Sequence, residues 1–174
     1  ADFSHTAFIE RVNSELANNL GNLVHRTVSM IEKYRGGQVP SGGESADVDG
    51  ELIDVAEGLR ARVDEAIDTV RFSEAIQAVM EANRYVEKTK PFVLARDESA
   101  SSRLDAVLAN LHEASRLACV YLLPFMPTKA AEALAALGRP EDADASLAEV
   151  GRWLAPQPGV TVRKGEPLFL RIDS

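Results

Sequence analysis

The stretch Glu15-Leu16-Ala17-Asn18-Asn19-Leu20-Gly21-Asn22-Leu23-Val24-His25-Arg26-Thr27 decides the fold class by the spacing of its apolar members. On a helical wheel Leu16, Leu20, Leu23 and Thr27 fall on one side, and Ile31 and Tyr34 continue that side further along. Asn18, Asn19, Asn22, Arg26, Ser29 and Lys33 fall on the other. The pattern predicts one long amphipathic helix from an N-cap at Ser4 to about Arg35, closed by Gly36-Gly37. Asparagine is a mediocre helix former, because its side chain competes for backbone hydrogen bonds. Three asparagines on one exposed face therefore call for a reason other than helix stability.

The same reading extends along the chain. Pro40 to Gly50 is rich in Gly, Ser and Asp and reads as a loop. A second helix is expected over Glu51 to Arg71, with Leu52, Val55, Leu59, Val63, Ile67 and Val70 at core spacing. A break or bend at Phe72-Ser73 leads to a third over Glu74 to Thr89, which Pro91 stops. A fourth runs from Ser101 to Leu123, and a short fifth follows Pro124 and Pro127, capped by Thr128 and ended by Gly138. Five amphipathic helices with modest loops make an all-α helix bundle over residues 1–150. Residues 151–174, punctuated by proline and glycine, read as an extended, irregular tail.

Composition narrows the function. No run of about 18 apolar residues occurs to span a membrane, and no basic-then-apolar start reads as a secretory signal. The single cysteine, Cys119, falls in an apolar helical stretch and reads as a buried thiol, which suits a reducing, cytoplasmic setting. A net charge of -8 argues against indiscriminate nucleic-acid binding, and nothing points to DNA. The charge is uneven, however. Nine acidic residues between Ser41 and Val70 face only Arg60 and Arg62, whereas between Asn83 and Arg96 four cations (Arg84, Lys88, Lys90 and Arg96) face only Glu87. Such a basic patch on an acidic body suits solvated helix surface or a selective, salt-sensitive RNA contact. His5, His25 and His112 are too scattered for a metal site and read as surface or capping groups. The carboxylates read as helix-surface groups, and the glycine pairs follow a helix rather than a strand, so no phosphate loop is formed. The residues make no case for catalysis within this chain. Its first residue is Ala, so it reads as processed or excised from something longer.

The Glu15–Thr27 stretch resembles the first helix of the anticodon-binding domain of bacterial-type methionyl-tRNA synthetases. Four other stretches resemble the same family in the same order. They are Asp2-Phe3-Ser4; Ala82-Asn83-Arg84-Tyr85-Val86 with Thr89-Lys90-Pro91; Leu122-Leu123-Pro124-Phe125-Met126-Pro127; and Gly165-Glu166-Pro167-Leu168-Phe169 with Arg171-Ile172. The resemblance covers essentially the whole chain. It implies the helical anticodon-binding fold of class Ia synthetases, with residues 151–174 packing toward a catalytic domain. It also implies a role for the odd polar face: Asn22 and Arg26 match the residues that read the CAU anticodon of methionine tRNA. Phe92 stands where the family carries a tryptophan that stacks on an anticodon base. Lys33, Arg84, Lys88 and Lys90 are then candidates for phosphate contacts. The parent enzyme would be a methionine–tRNA ligase using ATP and Mg²⁺. Its Zn²⁺, where the family has it, belongs to the missing half, and this chain carries no cofactor or catalytic site. A free-standing, non-catalytic paralogue binding tRNA or a protein partner is the alternative, and a helical interaction bundle without RNA function is a further one.

Overall fold

The computed structural model describes residues 3–61, 68–156 and 159–163. Among these residues seven α-helices follow in order: α1 (Phe3–Arg35), α2 (Asp47–Ala61), α3 (Asp68–Thr89), α4 (Pro91–Leu94), α5 (Ser101–Leu122), α6 (Pro127–Ala136) and α7 (Leu147–Val150). The expected all-α bundle is what forms, and α5 is its axis. From Leu111 to Leu122 every residue of α5 is buried, because α1, α2, α3 and α6 all pack against it. A helix covered on all sides needs no polar stripe. On α1, Leu16, Leu20, Leu23, Thr27 and Ile31 turn into this core, while Asn18, Asn19, Asn22 and Lys33 stay outside.

Several boundaries differ from expectation, each for a local reason. α1 begins at Phe3, so Ser4 lies within the helix rather than capping it. α2 starts at Asp47, four residues before the expected Glu51, inside the segment read as loop. Asp49 explains this: its Oδ2 accepts the backbone N–H of Ala46 at 3.0 Å, which is one half of a capping box. Acidic residues in a first turn also complement the helix dipole. The same carboxylate takes two hydrogen bonds of 2.8 Å from Arg103 and one of 2.6 Å from the Tyr85 hydroxyl, joining α2 to α5 and α3. Burial works against ionising Asp49, but these donors outweigh it and hold the carboxyl below its ordinary range. Phe72 and Ser73 mark no break, since α3 runs through them. Phe72 meets Phe125 edge-on, ring centroids 5.1 Å apart, which ties α3 to the α5–α6 turn. Val63 and Ile67 lie outside the described residues. α6 begins with Pro127 at its first position, so Thr128 is inside the helix and not its cap.

The segment after α6 carries the least expected feature. Arg116 of α5 is 1% exposed. It forks onto Glu113 and Asp142 and donates at 2.8 Å to the carbonyls of Val150 and of Arg152. Glu113 also accepts the Leu154 N–H at 2.8 Å, and Arg139 makes two further bonds to Asp142. The expectation that carboxylates sit on helix surfaces is thus corrected for Asp49, Glu113 and Asp142, all buried and all paired with arginine. His112 takes the capping role: its Nε2 lies 2.7 Å from the carbonyl of Leu137, the C-cap of α6. Burial pushes its pKa down to about 4, and burial likewise pushes the Cys119 thiol up to about 12.

The first part of the tail belongs to the bundle. Val160 and Val162 exchange backbone hydrogen bonds with Val39 and Gly37, the Arg163 N–H donates to the Ala136 carbonyl, and Val162 is buried. Gly138, at φ +78°, lets the chain pass so close that a Cβ there would stand 2.3 Å from the Thr161 carbonyl oxygen. The Asp2 junction residue and the stretch from Gly165 to Ile172 lie outside the described residues.

Candidate nucleic-acid interface

α1 and α3 pack side by side, and α3 buries Ala75, Ala78, Val79, Ala82, Tyr85 and Val86. Their polar flanks consequently face one another across a groove of about 540 Å³. Asn19, Asn22, His25 and Arg26 line it from α1, and Met80, Asn83, Arg84 and Glu87 line it from α3. Asn22 and Arg26 stand one turn apart on one face, as positions i and i+4 must. Across the groove the Arg26 Nη2 donates to Glu87 Oε1 at 3.3 Å. Arg84 leans back onto Glu81 at 2.9 Å, and Asn83 donates to the Val79 carbonyl at 3.1 Å within its own helix.

The end of α3 sets the next element. Proline disfavours the right-handed helical conformation in the residue before it; α3 stops at Thr89, and Lys90 stands in a left-handed conformation, φ 48° and ψ 65°. This elbow starts α4 with Pro91 buried at its first position, where a missing N–H costs nothing. Phe92 and Val93 are then turned outward, 45% and 48% exposed. Phe92 is not part of the buried core, and nearly half of its surface is exposed.

The candidate residues thus divide. Asn22, Arg26 and Arg84 share the groove, while Phe92 and Lys90 sit on the α3–α4 elbow outside its lining. Lys33 lies two turns beyond Arg26, its ammonium 5.7 Å from the centre of the Tyr34 ring. Lys88 is drawn toward α2, where Nζ meets Glu51 at 2.7 Å. That hydrogen bond raises the Lys88 pKa and lowers that of Glu51. His25, Met80, Asn83 and Glu87 were not candidates for the site in the sequence reading, which placed Met80 at core spacing although it is 45% exposed. The only signal for them was helical phase, and it becomes informative once α3 is known to lie against α1. Among the described residues no group of three or more His, Cys, Asp or Glu side chains is placed to hold a metal ion. Among them, too, no helix is long and apolar enough to cross a membrane.

A family model described as tRNA synthetases class I (M) matches residues 1–28. Along nearly its whole length the chain is similar to methionine–tRNA ligases. It is 42% identical over 175 aligned positions to that of Caldanaerobacter subterraneus and 39% identical over the same span to that of Clostridium acetobutylicum. Each match covers 98% of this chain and 27% of the relative, so the chain spans about a quarter of the length of these enzymes. Its fold matches methionyl-tRNA synthetase from Mycobacterium tuberculosis in complex with methionyl-adenylate, with a TM-score of 0.82 and 33% identity, over 95% of this chain and 33% of that one. The apo form of that synthetase gives a TM-score of 0.83 at 32% identity. The homologues are class I aminoacyl-tRNA synthetases, and the helical bundle described above is a fold they share.

Proposed function

We propose that this chain is the anticodon-binding part of a methionyl-tRNA synthetase and that it reads the CAU anticodon of methionine tRNA. One observation carries the reading. Asn22 and Arg26 open onto a polar groove in a chain that is similar along its length to methionine–tRNA ligases. Sequence in RNA is read on unstacked loop bases, by hydrogen bonds to their edges and by stacking. The Asn22 amide offers a donor and an acceptor, and the Arg26 guanidinium offers a planar fork of donors. Phe92, on the elbow outside the groove lining, offers an aromatic stacking face smaller than an indole. Arg84, Lys90 and Lys33 supply positive charge for backbone phosphates, which adds affinity without sequence preference. Lys88 does so only on leaving Glu51, and Arg84 only on leaving Glu81. Methionine activation with ATP and Mg²⁺, and any zinc, falls to a separate catalytic part, and the work is cytoplasmic.

Binding of methionine tRNA at low salt by the Asn22→Ala and Arg26→Ala variants tests this. Each substitution weakens binding by roughly tenfold, the scale of one lost base contact. Arg26→Ala binding as tightly as the unsubstituted chain would overturn the assignment.

A further inference from the structure

The basic run at the end of α3 does not meet a partner with its charge free. Lys88 follows the groove residues Arg84 and Glu87 in the chain and precedes the Lys90 elbow. Its Nζ lies 2.7 Å from Glu51 Oε2 and 3.9 Å from Glu81 Oε1, and Glu81 in turn accepts from Arg84. Glu81 belongs to α3 itself and is nearly buried. Glu51 reaches across from α2, and its side chain is 64% exposed. Its neighbours on α2 disfavour its charge. Asp47 and Asp54, four residues before it and three after, are also exposed, and like charges at these helical spacings repel. Lys88 offsets that repulsion in the free chain.

To an ammonium group, a phosphodiester oxygen and a carboxylate oxygen are alike: each is a charged acceptor at hydrogen-bond distance. Lys88 could touch both at once only by holding two anions against each other. RNA arriving at the end of α3 must therefore take Lys88 from Glu51. It gains only the difference between two similar ion pairs, and it leaves Glu51 facing Asp47 and Asp54 without its cation.

We propose that Glu51 is an intramolecular competitor for the RNA backbone, which occupies Lys88 in the free chain and so lowers affinity without altering which anticodon is preferred. This rests on the anticodon reading above, in which RNA lies along the end of α3. Exchange of one anion for another on Lys88 releases no net counterion, so Lys88 adds little to the salt dependence while Glu51 keeps its charge. Removing that charge turns Lys88 into a full phosphate contact. The device stops the chain from holding polyanions by charge alone, in keeping with its net charge of -8.

The test titrates the 174-residue chain with anticodon stem-loops carrying CAU or a scrambled triplet, at about 0.05 M and about 0.3 M salt. The variants are Glu51→Gln, Lys88→Gln, the two combined, and Asp54→Asn. The last adds the same charge to α2 but leaves Lys88 with Glu51. Glu51→Gln tightens binding to both loops alike, by roughly five- to tenfold at the lower salt and about twofold at the higher, because one more single-strand phosphate contact steepens the log–log salt slope by about 0.7. Lys88→Gln alone changes affinity by less than about twofold, and in the combined variant it cancels the Glu51→Gln gain. Asp54→Asn leaves the salt slope where it was. Thermal unfolding midpoints that agree across the set exclude a folding defect. Glu51→Gln that binds no tighter overturns the proposal. So does a gain that survives Lys88→Gln or is matched by Asp54→Asn, since either makes it a general charge effect, and so does a changed ratio between the two loops. If the unsubstituted chain fails to separate CAU from the scrambled triplet, the anticodon reading fails and the proposal falls with it. If it does separate them and Glu51 has no effect, the proposal alone fails.

Discussion

Replacing Arg116 with methionine removes the fork that joins α5 to the segment beyond α6 while keeping an unbranched apolar stem of similar size. Two carbonyl oxygens, those of Val150 and Arg152, lose their donors, and Glu113 loses its ion-pair partner in a nearly water-free site. Breaking a buried pair from one side costs about 3–5 kcal/mol. The structure places this case toward the lower end. Asp142 keeps both bonds from Arg139, and Glu113 keeps the Leu154 N–H. The expected loss is therefore about 3–4 kcal/mol, a large share of the 5–15 kcal/mol typical of a folded domain. With a urea m-value of about 2 kcal/mol/M, the midpoint falls by about 1.5–2 M. Arg84→Met serves as the control, because Arg84 is 60% exposed in its pair with Glu81 and its loss should move the midpoint by less than about 0.3 M. The assay is urea unfolding followed by circular dichroism. If Arg116→Met and Arg84→Met shift the midpoint equally, the buried network does not hold the segment down.

Three further outcomes are expected. His112 is neutral in the folded chain with its pKa lowered to about 4, so an unfolded chain binds a proton there that the folded one refuses as pH falls from about 6.5. Stability is lost over that window, by up to about 3 kcal/mol, and the loss disappears in His112→Gln; equal pH profiles for the two proteins would refute it. Gly138→Ala combines a left-handed backbone with a Cβ 2.3 Å from the Thr161 carbonyl oxygen. It should cost about 2–3 kcal/mol, which lowers the melting temperature by about 4–12 °C, and an unchanged melt contradicts the close approach. Phe92→Ala lowers the melt only slightly, since the residue is 45% exposed and outside the core. It weakens binding to methionine tRNA by roughly fivefold or more, a stacking contribution; unaltered affinity would remove Phe92 from the interface.

How much of this was legible beforehand depended on whether a residue's role is local. The two faces of α1 could be read because one side is covered and the other wet; on the wet face it was the resemblance to the synthetase family that picked out Asn22 and Arg26. α5 hid its role, because a helix covered on every side has no polar stripe to report its orientation. Asp47 to Gly50 read as loop from composition. Asp49 starts a helix there because Arg103 and Tyr85, far away in sequence, meet it. Arg116 was illegible for the same reason: two of its acceptors are backbone carbonyls more than thirty residues on. Glu87 and Asn83 join the groove only once α3 is laid against α1, a relation that single-helix periodicity does not contain.

The most direct test of the central claim is a titration of the chain with anticodon stem-loops bearing CAU or a scrambled triplet, at two salt concentrations. Preference for CAU at both, with overall affinity falling as salt rises, is the expected result: base contacts specify and phosphate contacts add a salt-dependent share. Equal affinity for the two loops at both salt concentrations would contradict it.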